Sequence, residues 1–165
     1  MAELIQQHHA PGRTLAGIET TVKSVVELDI NVPQERLAAL FADPRHSTEW
    51  MDDVARYEPI SGVPGTPGST YRLVPKTGKM VLVATVISRR LPAEVRLHLD
   101  ASSVAVSVTA TFTALSPQRT RLISEEVFSF KSLIHTLFGI VAQGAIRRAH
   151  RRHMAGFKRF AEQRG

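Results

Sequence analysis

From Thr20 to Ile30 apolar and polar positions alternate. Val22, Val26, Leu28 and Ile30 fall on one side, and Lys23, Glu27 and Asp29 on the other. A period of two marks a half-buried β-strand. Val32-Pro33 closes it, because proline cannot continue a ladder but suits the first turn of a helix. Leu37, Leu40 and Phe41 then recur at helical spacing, and Asp43-Pro44 stops that helix. Ser47 or Thr48 is placed to cap a second short turn that ends near Trp50, with Glu49 and Asp52 suited to its start.

Strand periodicity then takes over. Short strands are expected over Arg56 to Ser61 and Ser69 to Val74, separated by the turn residues Gly62, Pro64, Gly65, Pro67 and Gly68. Thr77-Gly78 turns the chain into a long β-rich run from Met80 to Arg90, which breaks at Leu91-Pro92. Glu94 to Asp100 alternates again, with Val95, Leu97 and Leu99 opposite Arg96 and His98. Ser103 to Ala114 has the cleanest pattern: Val104, Val106, Val108, Ala110 and Phe112 on one face, Ser107, Thr109, Thr111 and Thr113 on the other. Ser116-Pro117-Gln118 reads as a hairpin turn, and Arg121 to Phe130 pairs back. About seven strands joined by short loops imply an antiparallel meander, and the lack of intervening helices disfavours parallel βαβ units.

The last thirty or so residues lose this alternation. On a helical wheel Ala142, Ile146, Ala149, His153, Phe157 and Phe160 form one stripe, with Arg147, Arg148, Arg151, Arg152, Lys158 and Arg159 opposite. An amphipathic helix needs cover for its apolar stripe, and the concave face of the sheet is the apolar surface large enough to give it.

Composition narrows the picture. At 165 residues a single domain is expected, residues 18–165, behind a loose arm at residues 1–17. The chain has no cysteine, which excludes disulfides, thiolate metal sites and cysteine nucleophiles and fits a cytoplasmic setting. No apolar run is long enough to span a membrane, and the first residues do not read as a secretory signal. The net charge of +6 is uneven: Arg147 to Arg164 holds seven basic residues and one acid, and elsewhere the charges cancel.

Val32-Pro33 with its short helix, Asp43-Pro44, Trp50, the run Gly65-Thr66-Pro67-Gly68-Ser69 into Tyr71-Arg72, Thr120-Arg121-Leu122 opening the last strand, and the long final helix occur in a telling order. In that order, from Thr20 to Gln163, the chain resembles the START/Bet v 1-like superfamily (SRPBCC, polyketide cyclase/dehydrase and lipid transport). The resemblance implies an α+β helix-grip fold: a curved seven-stranded antiparallel sheet wrapped around a long C-terminal helix, with two short helices after strand 1 and a hydrophobic cavity inside. Members of that superfamily range from lipid and hormone carriers to aromatase/cyclases, so shape alone does not assign activity.

On this fold Val104, Val106, Val108, Phe112 and Phe128 from the strands would line the cavity with Ile146, Ala149, His153 and Phe157 from the helix, and Trp50 and Tyr71 would stand near its mouth. His153, set within the apolar stripe, can hydrogen-bond a ligand or move a proton near neutral pH; a core histidine satisfied by a neighbour is the plainer alternative. His150, at the stripe's edge, is expected to be exposed. Glu126 shares a face with Leu122, Ser124, Phe128 and Phe130 and would point inward to pair with His153; in the opposite register Glu125 would point inward instead. No cofactor is implied. His8-His9 and the pair His150 and His153 make poor metal sites, the first in a tail and the second in a strongly basic helix. No phosphate loop or nucleophile elbow occurs.

The expected function is binding, transport or sequestration of a hydrophobic small molecule such as a lipid, polyketide or aromatic metabolite. A cyclase/aromatase-type enzyme with His153, Glu126 and Tyr71 as its acid/base set is the alternative. A third reading docks the basic face of the last helix on an acidic partner: Arg147, Arg148, Arg151 and Arg152 suit an anionic membrane surface, whereas few aromatics accompany them for nucleic acid. Monomer and homodimer are equally compatible with the sequence.

Overall fold

The computed structural model describes residues 21–132 and 141–165; the expected arm with His8-His9 lies outside the described residues. The elements are β1 (Thr21–Ile30), α1 (Gln34–Ala42), a 3-10 turn (Pro44–His46), α2 (Ser47–Trp50), β2 (Val54–Ser61), β3 (Thr70–Pro75), β4 (Leu82–Arg90), β5 (Glu94–Asp100), β6 (Val104–Ser116), β7 (Arg119–Phe130) and α3 (Gln143–Glu162). The strands form one antiparallel sheet in the order β1-β7-β6-β5-β4-β3-β2. From β3 to β7 each strand pairs with its predecessor, and β1 closes against β7. Register shifts at Val54/Arg56, Pro59/Ser61, Val86/Ser88 and Ala114/Ser116 mark bulges, and bulges bend the strands that carry them.

Pro33 starts α1 without a side-chain cap, and Leu37, Ala38, Leu40, Phe41 and Ala42 are buried along it. The expected cap at Ser47 or Thr48 is not formed. Asp43 caps the 3-10 turn by accepting from the Arg45 amide at 3.0 Å, while the Ser47 hydroxyl donates to the Pro44 carbonyl at 2.7 Å.

The inner face of the sheet carries two hydrophobic clusters. One joins Ile30, Val95, Ala110, Phe112 and Leu122 to α1 and to Met154, Phe157, Phe160 and Ala161 of α3. Its aromatic centre is Phe41, in edge contact with Phe112 at 5.6 Å and with Phe157 at 5.2 Å and stacked on Trp50 at 6.0 Å. Each such pair adds about 0.5–1.5 kcal/mol beyond burial. The second cluster, Tyr71, Leu73, Ala84, Val86, Leu99, Val104, Val106 and Val108, belongs to the sheet, without residues of α1 or α3. The described helices therefore pack on one end of the concave face.

Two glycines allow the close approaches that set this geometry. A side chain at Gly156 would meet the Trp50 carbonyl oxygen at 2.3 Å, so α3 touches the end of α2 backbone to backbone. At Gly65 (φ +78°) an added carbon would meet the Ala42 carbonyl oxygen at 2.5 Å, which seats the β2–β3 loop on the end of α1.

The buried stripe of α3 is His150, Met154, Gly156, Phe157, Phe160 and Ala161. It is rotated from the expected one: Met154 and Ala161 join it, and Ala142, Ile146, Ala149 and His153 are only half-buried. The reason is the helix's seating, with β1 under one flank and α2 against Gly156. None of the described helices is long and apolar enough to cross a membrane, which says nothing of crossing by strands.

Candidate functional site

Strand register places the inward side chains in rows. One row runs Val22, Phe128, Val106, Leu99, Ala84 and Tyr71 across six strands. The next runs Ser24, Glu126, Val108, Leu97 and Val86. Glu126 is thus the one carboxylate among the described residues of an otherwise apolar and hydroxyl-bearing row. Its neighbour Glu125 points to the convex side, where Lys23 pairs with it at 2.7 Å. This resolves the two registers left open by the sequence in favour of Glu126.

Two neighbouring spaces lie between this face and the helices. The first is lined by Phe41, Trp50 and Met51, by Tyr71, Val86, Leu97, Leu99, Val108, Ser124 and Glu126 of the sheet, and by His153 and Met154 of α3, among others. Its cavity volume is about 70 Å³, and about 640 Å³ with the open mouth counted. It is a slot rather than a chamber. The second, about 570 Å³ with its mouth, lies toward the start of α3 among Leu82, Val106, Phe128, Ile146, Ala149 and His150. Met51, Leu99, Glu126 and His153 line both, so Glu126 stands where the two meet.

Of the residues expected at a cavity, Trp50, Tyr71, Val108 and His153 line the first space and Val106, Phe128, Ile146, Ala149 and His153 the second. Tyr71 is not at a mouth; it is 4% exposed. Val104, Phe112 and Phe157 line neither space. Phe112 and Phe157 belong to the aromatic core around Phe41, and Val104 packs within the second cluster.

The histidines exchange the roles expected of them. His150 is 1% exposed. Its Nδ1 lies 2.9 Å from Ser24 Oγ and its Nε2 2.9 Å from Ser124 Oγ. Burial, with the nearby His153 adding to it, lowers its pKa to about 4, so the ring is neutral around pH 7. With both nitrogens engaged it is not free to share a metal with His153. His153 does not pair with Glu126: its Nε2 meets Asp53 Oδ1 at 2.8 Å. Arg152, expected on the face that suits an anionic membrane, is held by Asp52 at 2.9 Å and Asp53 at 3.1 Å. Asp52, Asp53 and His153 bring ligand atoms within 4.8 Å of one another, but the Arg152 guanidinium already occupies both carboxylates.

Glu126 lies 3.7 Å from His150 Nε2, beyond hydrogen-bond range. It makes no hydrogen bond to a described residue, and burial raises its pKa to about 7. The Tyr71 hydroxyl is likewise without a partner among the described residues; burial, and then Tyr57, hold its pKa above the usual phenol value. Of the other polar groups of the slot, Ser47 is engaged by Pro44, Ser124 by His150 and His153 by Asp53, while the Trp50 indole N–H has no partner among the described residues. The slot therefore presents an apolar wall and, at Glu126 and Tyr71, oxygens with no hydrogen-bond partner among the described residues. Sequence reasoning missed His150, Met51, Leu97, Leu99 and Met154; serines at inward positions of both β1 and β7 were the available signal for a buried polar partner.

The family described as polyketide cyclase/dehydrase and lipid transport matches residues 21–162. The chain belongs to this family. A comparison with curated protein sequences finds no match. Among solved structures it is similar to a START superfamily protein from Mycobacterium smegmatis, with TM-score 0.73 at 12% identity over 87% of this chain and 99% of that one. It is also similar to the Zhui aromatase/cyclase from Streptomyces sp. R1128, with TM-score 0.70 at 14% identity over 88% and 96%. Norcoclaurine synthase from Thalictrum flavum, solved with dopamine and hydroxybenzaldehyde, gives TM-score 0.69 at 12% identity over 98% and 99%. At these identities the shared property is the helix-grip fold of the START/Bet v 1-like superfamily, with its curved seven-stranded antiparallel sheet and C-terminal helix.

Proposed function

We propose that this protein binds an apolar small molecule in the slot between α3 and the concave sheet. The observation that carries the reading is the slot itself: an apolar wall, unfilled space, and two oxygens that no described residue satisfies. Burying apolar ligand surface supplies about 25 cal/mol per Å² before the costs of association. The narrow section suits a flat or slender molecule, such as an aromatic metabolite, a polyketide or a lipid chain. Membership of a family that includes lipid transport, and likeness in fold to an aromatase/cyclase, support a ligand of this kind.

Trp50 is the sole tryptophan and lines the slot, so its emission reports occupancy. Native mass spectrometry of freshly purified protein is expected to retain an apolar compound at one per chain, and titration with a flat aromatic is expected to shift Trp50 emission saturably. Protein that carries nothing and a Trp50 signal indifferent to every apolar titrant would overturn the proposal.

A second reading concerns where a ligand is exchanged. Arg147, Arg148 and Arg151 are exposed on α3 and have no acidic partner among the described residues. They flank Ile146, Ala149 and His150, which border the second space. We infer that this face meets an anionic bilayer, to which each basic side chain contributes about 1 kcal/mol. Catalysis in the same slot would rest on Glu126, the acid closest to neutrality, rather than on His153, which Asp53 holds.

A further inference from the structure

We infer that Glu126 selects the ligand of this slot by donating a hydrogen bond to a carbonyl oxygen, so that the preferred guest is a flat or slender ketone or aldehyde rather than a hydrocarbon or an amine. This rests on the binding reading above and names the chemistry of its guest.

The geometry is specific. Glu126 occupies the junction of the two spaces, in a row whose other members are Ser24, Val108, Leu97 and Val86. No titratable or charged neighbour among the described residues hydrogen-bonds to Glu126. From α3, His150 is clamped neutral between two serines, and His153 is held by Asp53. Arg152, next along α3, is drawn outward to Asp52 and Asp53. On β7 and β1, Glu125 and Lys23 pair on the opposite face. From β6 the facing residue is Val108. Tyr71, across the slot on β3, is an uncharged phenol. No cation of the described residues comes within hydrogen-bond range of Glu126, and burial keeps the acid form up to about pH 7.

A protonated carboxyl in an apolar slot is here a donor without an acceptor among the described residues. An uncharged oxygen acceptor on the guest meets that need without bringing a charge out of water, which an ammonium would have to do. Tyr71 offers a second O–H to an oxygen farther along the guest.

The test compares 2-acetylnaphthalene, 2-ethylnaphthalene and 1-(2-naphthyl)ethylamine, three guests of one shape, through the Trp50 indole N–H signal by NMR. At pH 5.5 the ketone is expected to bind about tenfold tighter than the hydrocarbon. That advantage is expected to shrink between pH 7 and pH 9 as Glu126 ionises. In E126Q, whose amide also donates, the ketone preference is expected to persist and to lose its pH dependence; in E126L it is expected to vanish while the hydrocarbon still binds. Equal binding of ketone and hydrocarbon would overturn the inference and leave the binding reading standing. An amine that binds best and gains affinity as pH rises would overturn it in favour of a carboxylate site. Failure of all three to bind would remove the binding reading itself.

Discussion

Glu126 and His150 lie 3.7 Å apart and pull on stability in opposite senses with pH. The Glu126 pKa rises from 4.5 to about 7 on folding, so the native state holds the proton more tightly. Its contribution is full below pH 4.5 and is lost as pH rises through 7, a change of about 3 kcal/mol. The His150 pKa falls from 6.5 to about 4, so its contribution is full above pH 6.5 and is lost as pH falls toward 4, by a similar amount of about 3 kcal/mol. Between pH 4.5 and 6.5 the two slopes oppose each other. Urea denaturation of E126Q against the parent protein is expected to show little difference at pH 4.5 and a variant more stable by about 3 kcal/mol at pH 8. A difference that does not change with pH would show that folding leaves the Glu126 pKa at its unfolded value. A residue that lowers stability at neutral pH and faces unfilled space is a functional candidate on physical grounds. Glu126 could be named from sequence because strand alternation narrowed the choice to two neighbours, and pairing with β1 then decided it. His150 could not. Helical periodicity placed it within one position of the stripe, and only the serines of two distant strands, brought together by that same pairing, make its burial tolerable.

At the scale of the element, α3 owes its rotation to Gly156. Glycine in a helix interior costs about 1 kcal/mol relative to alanine, yet here even a methyl group would strike the Trp50 carbonyl. G156A is therefore expected to destabilise the fold by about 1–3 kcal/mol and to shift Trp50 emission as α2 is pushed aside; thermal melting and fluorescence read both effects. A stability gain, as intrinsic propensity alone would give, would mean that the contact yields at no cost. The strands were legible almost residue by residue: Glu94–Asp100 falls where alternation put it, and the remaining strands differ from expectation by a few residues at their ends. The phase of α3 was not legible. A wheel locates the centre of hydrophobicity, and Met154 and Ala161 count for little there beside Phe157 and Phe160. Contact with a neighbouring helix, which glycine permits, is invisible to it. The same blindness put Phe112 and Phe157 in the cavity, when α1 supplies Phe41 to bury them.

For the molecule as a whole, charge and cavity are arranged on one element. The face of α3 away from the sheet carries Arg147, Arg148 and Arg151, while its inner side borders the second space. Flotation with vesicles is expected to show binding to phosphatidylglycerol-containing membranes and not to neutral phosphatidylcholine, weakening with salt. The triple variant R147E/R148E/R151E is expected to bind at least about tenfold less. Equal binding to both vesicle types, or a variant that floats like the parent, would remove the membrane reading. Arg152 is left out of the variant because Asp52 and Asp53 hold it.

The placement of β1 has a consequence for synthesis. Thr21–Ile30 leaves the ribosome before the other strands, yet its partner in the sheet is the last strand, with Thr21 facing Ser129 and Ile30 facing Thr120. Successive hairpins can zip as they emerge, but the opening segment must wait, its apolar side uncovered, until β7 has been translated. Non-local closure of this kind slows folding and lengthens the interval in which a sticky edge is open to other molecules.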